Sequence, residues 1–353
     1  MRANAIVQEG KSFAAKEVDL PLLQEHQVYV RVNHAAFNPT DRLALDVNAF
    51  GDGAVLGCDF AGEVVEAHPS VTKFAKGSRI AGFIWGARIL SRMKDYRFKF
   101  QKISAPRRQA QFLLRLTQLG WRCSPRTALA FRETLRMKTR FLSVVEVVSI
   151  HISKDIAKRT DIVKAVVGYF AIQLANLHGY MVITTCSPRN FNRVKAAGAT
   201  HVIDYNDEQA IARIREAVPN LEHVFDTIGN ATSSATASNA LKDSTGRLCT
   251  VRPGKANTEN VPSTVEVSDV FVFTAFPTAH TYREKAHWPV NIPNHELSID
   301  LHDQLPKLLD EGDLRPPSKN ILGSLSPNTI AQAMDLNRDG KVSAEKIVFK
   351  VDY

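Results

Sequence analysis

Apolar and polar positions change their period twice along this 353-residue chain. Over residues 26–37, HQVYVRVNHAAF alternates apolar with polar, which predicts a half-buried strand. GCDFAGEVVEA (57–67) repeats the alternation behind a glycine turn, and KFAKGSRIAGF (73–83) adds a Lys-Gly turn and another strand. Short strands separated by glycine turns predict a small barrel or sandwich over residues 1–85.

From Gly168 the period lengthens. GYFAIQLANLHGY (168–180) places apolar residues at helical spacing and closes on Gly179, a C-terminal stop. MVITTCS (181–187), HVIDY (201–205), HVFDTIG (223–229) and RLCTVRP (247–253) predict strands. RNFNRVKAAGA (189–199), DEQAIARIREAV (207–218) and Ser233 to Leu241 predict the helices between them. Such alternation implies a doubly wound parallel sheet. Past residue 280 the pattern mixes: a helix over 301–316, another over 328–341, then the β-branched strand KIVFKV (346–351), expected to return to the first unit's sheet.

Residues 87–163 fit neither texture. They hold one glycine, Gly120, and show no clean period of 2 or 3.6. Charge sharpens the contrast. The chain carries +9, but residues 86–164 contain 19 Lys/Arg against 5 Asp/Glu, leaving −5 for the rest. A nucleic-acid reading rests on that one stretch, which has aromatics (Tyr96, Phe98, Phe100) but no binding motif, so no nucleic-acid partner is expected.

Other classes fall away quickly. No apolar run reaches the roughly 18 residues of a membrane span. The N-terminal MRANAIVQEGKSF lacks a secretory signal's apolar core, so the cytosol is the expected compartment. Cys58, Cys123, Cys186 and Cys249 lie more than 60 residues apart, which excludes a CxxC pair or a local zinc knuckle. DLNRDGKVSAEK (335–346) imitates a calcium loop through Asp335, Asn337, Asp339 and Gly340. Its twelfth position is Lys346 where a carboxylate is required. The sequon at Asn230 is incidental.

HAAFNPTDRLAL (34–45), VLGCDFAGEVVE (55–66), VTKFAKGSRIAGF (71–83), the run from Val167 to Asp207, and DGKVSAEKIVFKV (339–351) occur in one order and spacing. Together they resemble the medium-chain dehydrogenase/reductase superfamily, and within it the fungal trans-acting enoyl reductases of polyketide biosynthesis. The resemblance implies an α/β fold: a GroES-like β-rich catalytic domain plus a Rossmann domain with a doubly wound parallel sheet. The domains implied are 1–125, 126–285 for the NADP-binding part, and 286–353 returning to the first. It further implies a monomer, an acyl-carrier domain as partner, a small-molecule acyl substrate, and NADPH-dependent reduction of an α,β-unsaturated acyl thioester.

The family places a GGxxxVG turn before the helix at Tyr169, where glycines admit the cofactor pyrophosphate. Val167-Gly168 matches, but Ile162-Val163-Lys164 stands where glycines belong. Right length with wrong composition is what a misread frame or splice boundary yields, so residues 88–163 read as a coding lesion. A divergent loop-and-helix region is the alternative.

Residue by residue, the resemblance puts Lys164, Ala165, Val166 and Val167 at the pyrophosphate. Asn38, Pro39, Thr40 and Asp41, with Val342 and Ser343, belong to the nicotinamide end. Relatives often continue NPTD with an aromatic residue and a lysine; here Arg42 and Leu43 follow. Zinc-dependent relatives carry a Cys or His near residue 40, a GHE motif and a four-cysteine lobe. This chain has Asn38-Pro39-Thr40-Asp41 and Gly57-Cys58-Asp59, so no zinc is expected. The second Rossmann strand ends in Ser187-Pro188-Arg189-Asn190 with no carboxylate. Arg189 suits a 2′-phosphate, with Ser187 and Asn190 as added donors, or is a solvated residue of a plain helix cap; Tyr205 lies either beside the same group or packed in the core. Val272, Phe273, Thr274, Ala275 and Phe276 line the acyl channel or form a core strand. Alternatives to the enoyl reductase are a stand-alone quinone or enone oxidoreductase, and a catalytically silent relative lacking the phosphate turn.

Overall fold

The structure is a computed structural model that describes residues 2–84, 101–102, 146–149, 164–230, 232–282, 286–342 and 345–352. The reading of 88–163 as a coding lesion therefore lies outside the described residues, apart from two short strands. The described chain falls into two compact units. One runs from the N-terminus through the 101–102 strand, takes in Lys164–Val166 and resumes at Phe273; the other holds 146–149 and Val167–Val272.

In the first unit β1 (Arg2–Glu9) and β2 (Ser12–Asp19) form an antiparallel hairpin. Next come β3 (Val28–Ala36), α1 (Pro39–Asp46), β4 (Asp59–Ala67), β5 (Arg79–Phe83) and β6 (Gln101–Lys102). The strands read from alternation at 26–37, 57–67 and 73–83 are β3, β4 and β5. Gly62 on β4 is required by the close approach of β3: a Cβ there would meet the Arg31 carbonyl oxygen at 2.0 Å.

The second unit is one six-stranded sheet in the order β12-β11-β10-β7-β8-β9. Its strands are β7 (Glu146–Ser149), β8 (Met181–Cys186), β9 (His201–Asp204), β10 (His223–Asp226), β11 (Gly246–Thr250) and β12 (Val265–Asp269), all parallel. The helices are α2 (Lys164–Leu177), α3 (Phe191–Ala196), α4 (Ala210–Ala217) and α5 (Ser233–Ser238). Helix α2 stops where Gly179 adopts φ 80°, as the sequence signals. A parallel sheet is covered on both faces. Val182 and Ile183, adjacent on β8 and so pointing to opposite sides, anchor two separate apolar clusters. One gathers Ile214, Leu221 and Leu248; the other Ile172, Val194 and Ala197.

The chain then returns to the first unit with β13 (His280–Tyr282), β14 (Ala286–Trp288), α6 (Ile292–Asp310), β15 (Ser318–Ser324), α7 (Pro327–Arg338) and β16 (Glu345–Lys350). β16 pairs antiparallel with β3 and parallel with β15, completing a sheet of order β15-β16-β3-β4-β5-β6. The expected return of the last strand is thus met. Ile6, Phe37, Leu45, Ile330, Met334, Ile347 and Phe349 form the core this closure buries.

Two expectations need correction. The helix placed at 301–316 runs over Ile292–Asp310, because Asn291 caps it by accepting the Asn294 backbone N–H at 2.9 Å. Pro306 lies inside that helix, which stops at Asp310, just before Gly312 adopts φ 78°. The stretch Val272–Ala275 is a 3₁₀ turn, so its reading as a core strand fails.

Candidate functional site

In a doubly wound sheet, ligands bind beyond the carboxyl ends of the strands where the winding reverses. The chain leaves β7 toward β8 and β9, then resumes at β10 on the other side of β7. The switch point is therefore between β7 and β10. After β7, residues 150–163 contain no glycine. After β10 comes a loop that the sequence alone marks only as the end of a strand.

That loop is organised by Asp226, which is fully buried. Its Oδ1 accepts the backbone N–H groups of Ile228 at 2.8 Å and Gly229 at 3.0 Å. Its Oδ2 accepts the hydroxyls of Ser233 at 2.6 Å and Ser234 at 2.7 Å. Asn230 Oδ1 accepts the N–H of Ser233 at 2.7 Å, and the Gly229 carbonyl accepts Arg252 Nε at 2.7 Å and Asn257 Nδ2 at 2.8 Å. The signal in the sequence was an acid ending an apolar strand, followed by glycine and a Ser-Ser helix start.

At the end of β8, Ser187 precedes a 3₁₀ turn over Pro188–Asn190. Asn190 Nδ2 donates to Ser187 Oγ at 3.2 Å, while Arg189 is exposed and bonds no other described side chain. Tyr205, half-buried, follows β9. The neighbouring Asp204 carboxylate is turned to Asn206, accepting its backbone N–H at 2.9 Å. Burial, reinforced by Asp204, pushes the Cys186 thiol up to about 11, so it stays neutral and is no nucleophile. Val166 and Val167 are buried in the core, so only their backbone is available to a ligand; the side chains of Lys164 and Ala165 lie outside the described residues.

In the first unit, Asn38 is the N-cap of α1 and Pro39 its first residue, as helix starts favour. Asp41 Oδ2 accepts the Asn38 backbone N–H at 2.7 Å. The Asn38 side chain is buried and engaged at both ends, with Lys346 and Asp59, whereas Thr40 is exposed. Val342 is buried with Phe37 and Leu45 in the core, and Ser343 lies outside the described residues.

Arg42 turns to α7: Nε donates to Asn337 Oδ1 at 2.9 Å and Nη1 to Asp46 at 2.9 Å. Leu43 beside it is exposed. Arg42→Leu is expected to cost about 1–2 kcal/mol, since it strands a buried amide, measured by urea denaturation. The same contacts dispose of the calcium look-alike. Asp335 and Asn337 lie on α7, where Asp335 holds Arg338 at 2.8 Å, and Asp339 holds Lys341 at 2.8 Å.

Phe273 and Phe276 join an aromatic group in the first unit. Phe276 lies 4.8 Å from Phe83 and 6.0 Å from His280, and His302 stacks on Phe83 at 6.5 Å. Among the described residues no group of three or more His, Cys, Asp or Glu could hold a metal ion, and no helix is long and apolar enough to cross a membrane.

A GroES-like β-rich unit joined to a doubly wound parallel sheet defines an NAD(P)-dependent oxidoreductase of the medium-chain type. Two sequence-family models agree: "Alcohol dehydrogenase GroES-like domain" matches residues 24–98, and "Zinc-binding dehydrogenase" matches 166–283. The chain is 31% identical over 257 residues to the trans-enoyl reductase TOXD of Cochliobolus carbonum, spanning 69% of this chain and 81% of that one. It is 29% identical to the trans-enoyl reductase RAP2 of Pyricularia oryzae over 99% of this chain and 98% of that one. The crystal structure of CurK enoyl reductase shares the fold, with a TM-score of 0.67 at 14% identity over 99% of both chains. The chain belongs to the trans-enoyl reductase family, oxidoreductases that act on carbon–carbon double bonds.

Proposed function

We propose that the chain reduces the α,β-double bond of an acyl thioester carried on a polyketide synthase's acyl-carrier domain, with NADPH as reductant. The observation that carries this reading is the likeness to trans-enoyl reductases over nearly the whole length of the chain. When bound, NADPH would supply a hydride to the β-carbon of the acyl chain. Arg189, Ser187 and Asn190 would hold its 2′-phosphate; the donors are cationic or neutral, and Arg189 is not consumed by another described residue. The resemblance assigns Thr40 and the first turn of α1 to the nicotinamide end. Phe273 and Phe276, with Phe83, offer an apolar wall that excludes water from an acyl chain.

The direct test is NADPH oxidation with crotonyl-pantetheine and with a crotonyl-loaded carrier domain, against free enones and quinones. Turnover of the thioesters, higher on the carrier, is expected. Turnover of the free compounds alone would instead make this a stand-alone quinone or enone reductase. Arg189→Ala is expected to raise the Kd for NADPH tenfold or more and leave that for NADH unchanged, read by fluorescence titration.

One observation favours a silent relative: no glycine occurs in residues 150–163, where the phosphate turn belongs. Sequencing the transcript across codons 86–168 decides it. A second frame that restores a glycine pair before Val167-Gly168 removes the objection. A message that encodes the chain as written, together with no NADPH binding by the folded protein, leaves the silent reading standing.

A further inference from the structure

Beneath the first turn of α1 lies a buried ion pair that the proposed chemistry does not use. Lys346 on β16 is 1% exposed, and its Nζ is 3.2 Å from Asp59 Oδ2 at the start of β4. Both charges act on Asn38. Lys346 Nζ donates to Asn38 Oδ1 at 2.6 Å, and Asn38 Nδ2 donates to Asp59 Oδ2 at 2.8 Å and to Cys58 Sγ at 3.4 Å. Asp59 Oδ1 also accepts the Ala36 backbone N–H at 3.3 Å, tying the last residue of β3 into the same group. Three elements thus meet on one amide, which fixes its orientation and leaves none of its polar atoms for a ligand.

Stability alone is a poor reason for such a pair. Each buried ion loses several kcal/mol of hydration, and well-packed apolar side chains often fill such a site at no loss. The neighbours of Lys346 along β16, Ile347 to Phe349, are all apolar and buried. What a charge pair supplies and an apolar pair cannot is direction. The ammonium only donates and the carboxylate only accepts, so the Asn38 amide has one orientation. Its backbone is fixed in turn as the N-cap, with Asp41 closing on the Asn38 N–H. Thr40, exposed two residues on, takes its place from that cap.

We propose that Lys346 and Asp59 are positioning residues that act through Asn38 to hold the first turn of α1, and with it Thr40, in the conformation that binds the cofactor. The inference rests on the reading of α1 as part of the NADPH site. Three variants are compared with the wild-type chain: Lys346→Met, Lys346→Met combined with Asp59→Asn, and Val64→Ala. Val64 is fully buried in a separate cluster with Phe74 and Ile80, so its variant reports a loss of packing that does not touch Asn38. In the double variant the two amides at positions 38 and 59 can bond each other, with no charge left over.

NADPH titration, thermal unfolding and hydrogen exchange of the α1 peptide are measured on each. Lys346→Met is expected to raise the Kd at least tenfold and to speed exchange in the first turn of α1. The double variant is expected to recover most of both. Val64→Ala, at a comparable loss of Tm, is expected to move neither. Wild-type affinity and exchange in Lys346→Met, or an equal rise in Kd for Val64→Ala, overturns the proposal. If Lys346→Met does not fold, Lys346→Gln replaces it, with a loss of about threefold expected and unchanged affinity and exchange overturning. If the wild-type chain binds no NADPH, the cofactor reading fails, and faster α1 exchange in Lys346→Met but not in Val64→Ala still decides whether the clamp exists.

Discussion

Asp226→Ala is expected to destabilise the parallel-sheet unit by at least about 3 kcal/mol, the largest loss foreseen for a single substitution in the described chain. The carboxylate is fully buried and accepts four hydrogen bonds, two from backbone N–H groups and two from serine hydroxyls. Bonds to a charged acceptor contribute about 1.5–3 kcal/mol each, and a buried donor left unpaired costs about 1–3 kcal/mol. These terms do not add in full, because serine hydroxyls can rotate and water can enter. Asp226→Asn separates charge from shape. Its amide oxygen can still take the Ile228 and Gly229 N–H groups while its NH₂ donates to hydroxyls turned round to accept, so a loss of about 1–2 kcal/mol is expected. Urea denaturation followed in the second unit compares the two. An alanine variant within 1 kcal/mol of wild type would show that the loop does not depend on the carboxylate.

The second large effect is in the first unit and depends on pH. Burial holds His280 down to about 4, only partly offset by its bond to the Phe273 backbone. Burial lowers His302 as well, with its bond to the Ser298 backbone opposing. Unfolded, both titrate near 6.5. Below that value the unfolded chain takes up protons that the folded one refuses, so stability is full above about pH 6.5 and falls as the pH drops toward 4. For His280 alone the loss reaches up to about 3 kcal/mol by pH 4. His280→Phe, placed among Phe273 and Phe276 at 6.1 and 6.0 Å, should remove that part of the dependence. Urea midpoints at pH 7, 6, 5 and 4 give the test: the gap between wild type and variant must widen in favour of the variant as the pH falls. Parallel curves would assign the acid sensitivity to other groups.

The sequence was legible where a period imposed itself. Strands β3, β4, β5, β8, β9, β10, β11 and β16 follow from alternation or from short β-branched runs, and α2 and α7 from helical spacing. The early start of α6 was not, because IPNHELSID carries no apolar stripe and only the cap at Asn291 marks it. α1 was missed as a helix for a similar reason: eight residues show little more than two turns, and the NPTD motif drew notice for chemistry instead. Among the candidate site residues, Ser187 to Asn190 stand out in the sequence because strand ends in such sheets are where cofactors are told apart. Asp226 escaped because a strand-ending acid looks the same whether it faces solvent or organises a buried loop. In the sequence Lys346 stands out only as the residue that spoils a calcium loop and as the first position of the last strand. Its burial against Asp59 depends on residues 287 positions apart, and no local pattern carries that.

The pairing of β16 with β3 has a consequence for how the protein is made. More than 300 residues separate Ala36 from its partner Val348. At roughly 5–20 residues per second of synthesis, β3 waits tens of seconds on the ribosome with one edge open. The parallel-sheet unit has every described strand in hand by Asp269 and can close first. The half of the molecule that emerges earliest is therefore the last to finish. Chaperone dependence and aggregation during expression should follow the bare edge of β3, and a nascent chain halted before residue 345 should already resist proteolysis in its second unit while its first remains open to cleavage.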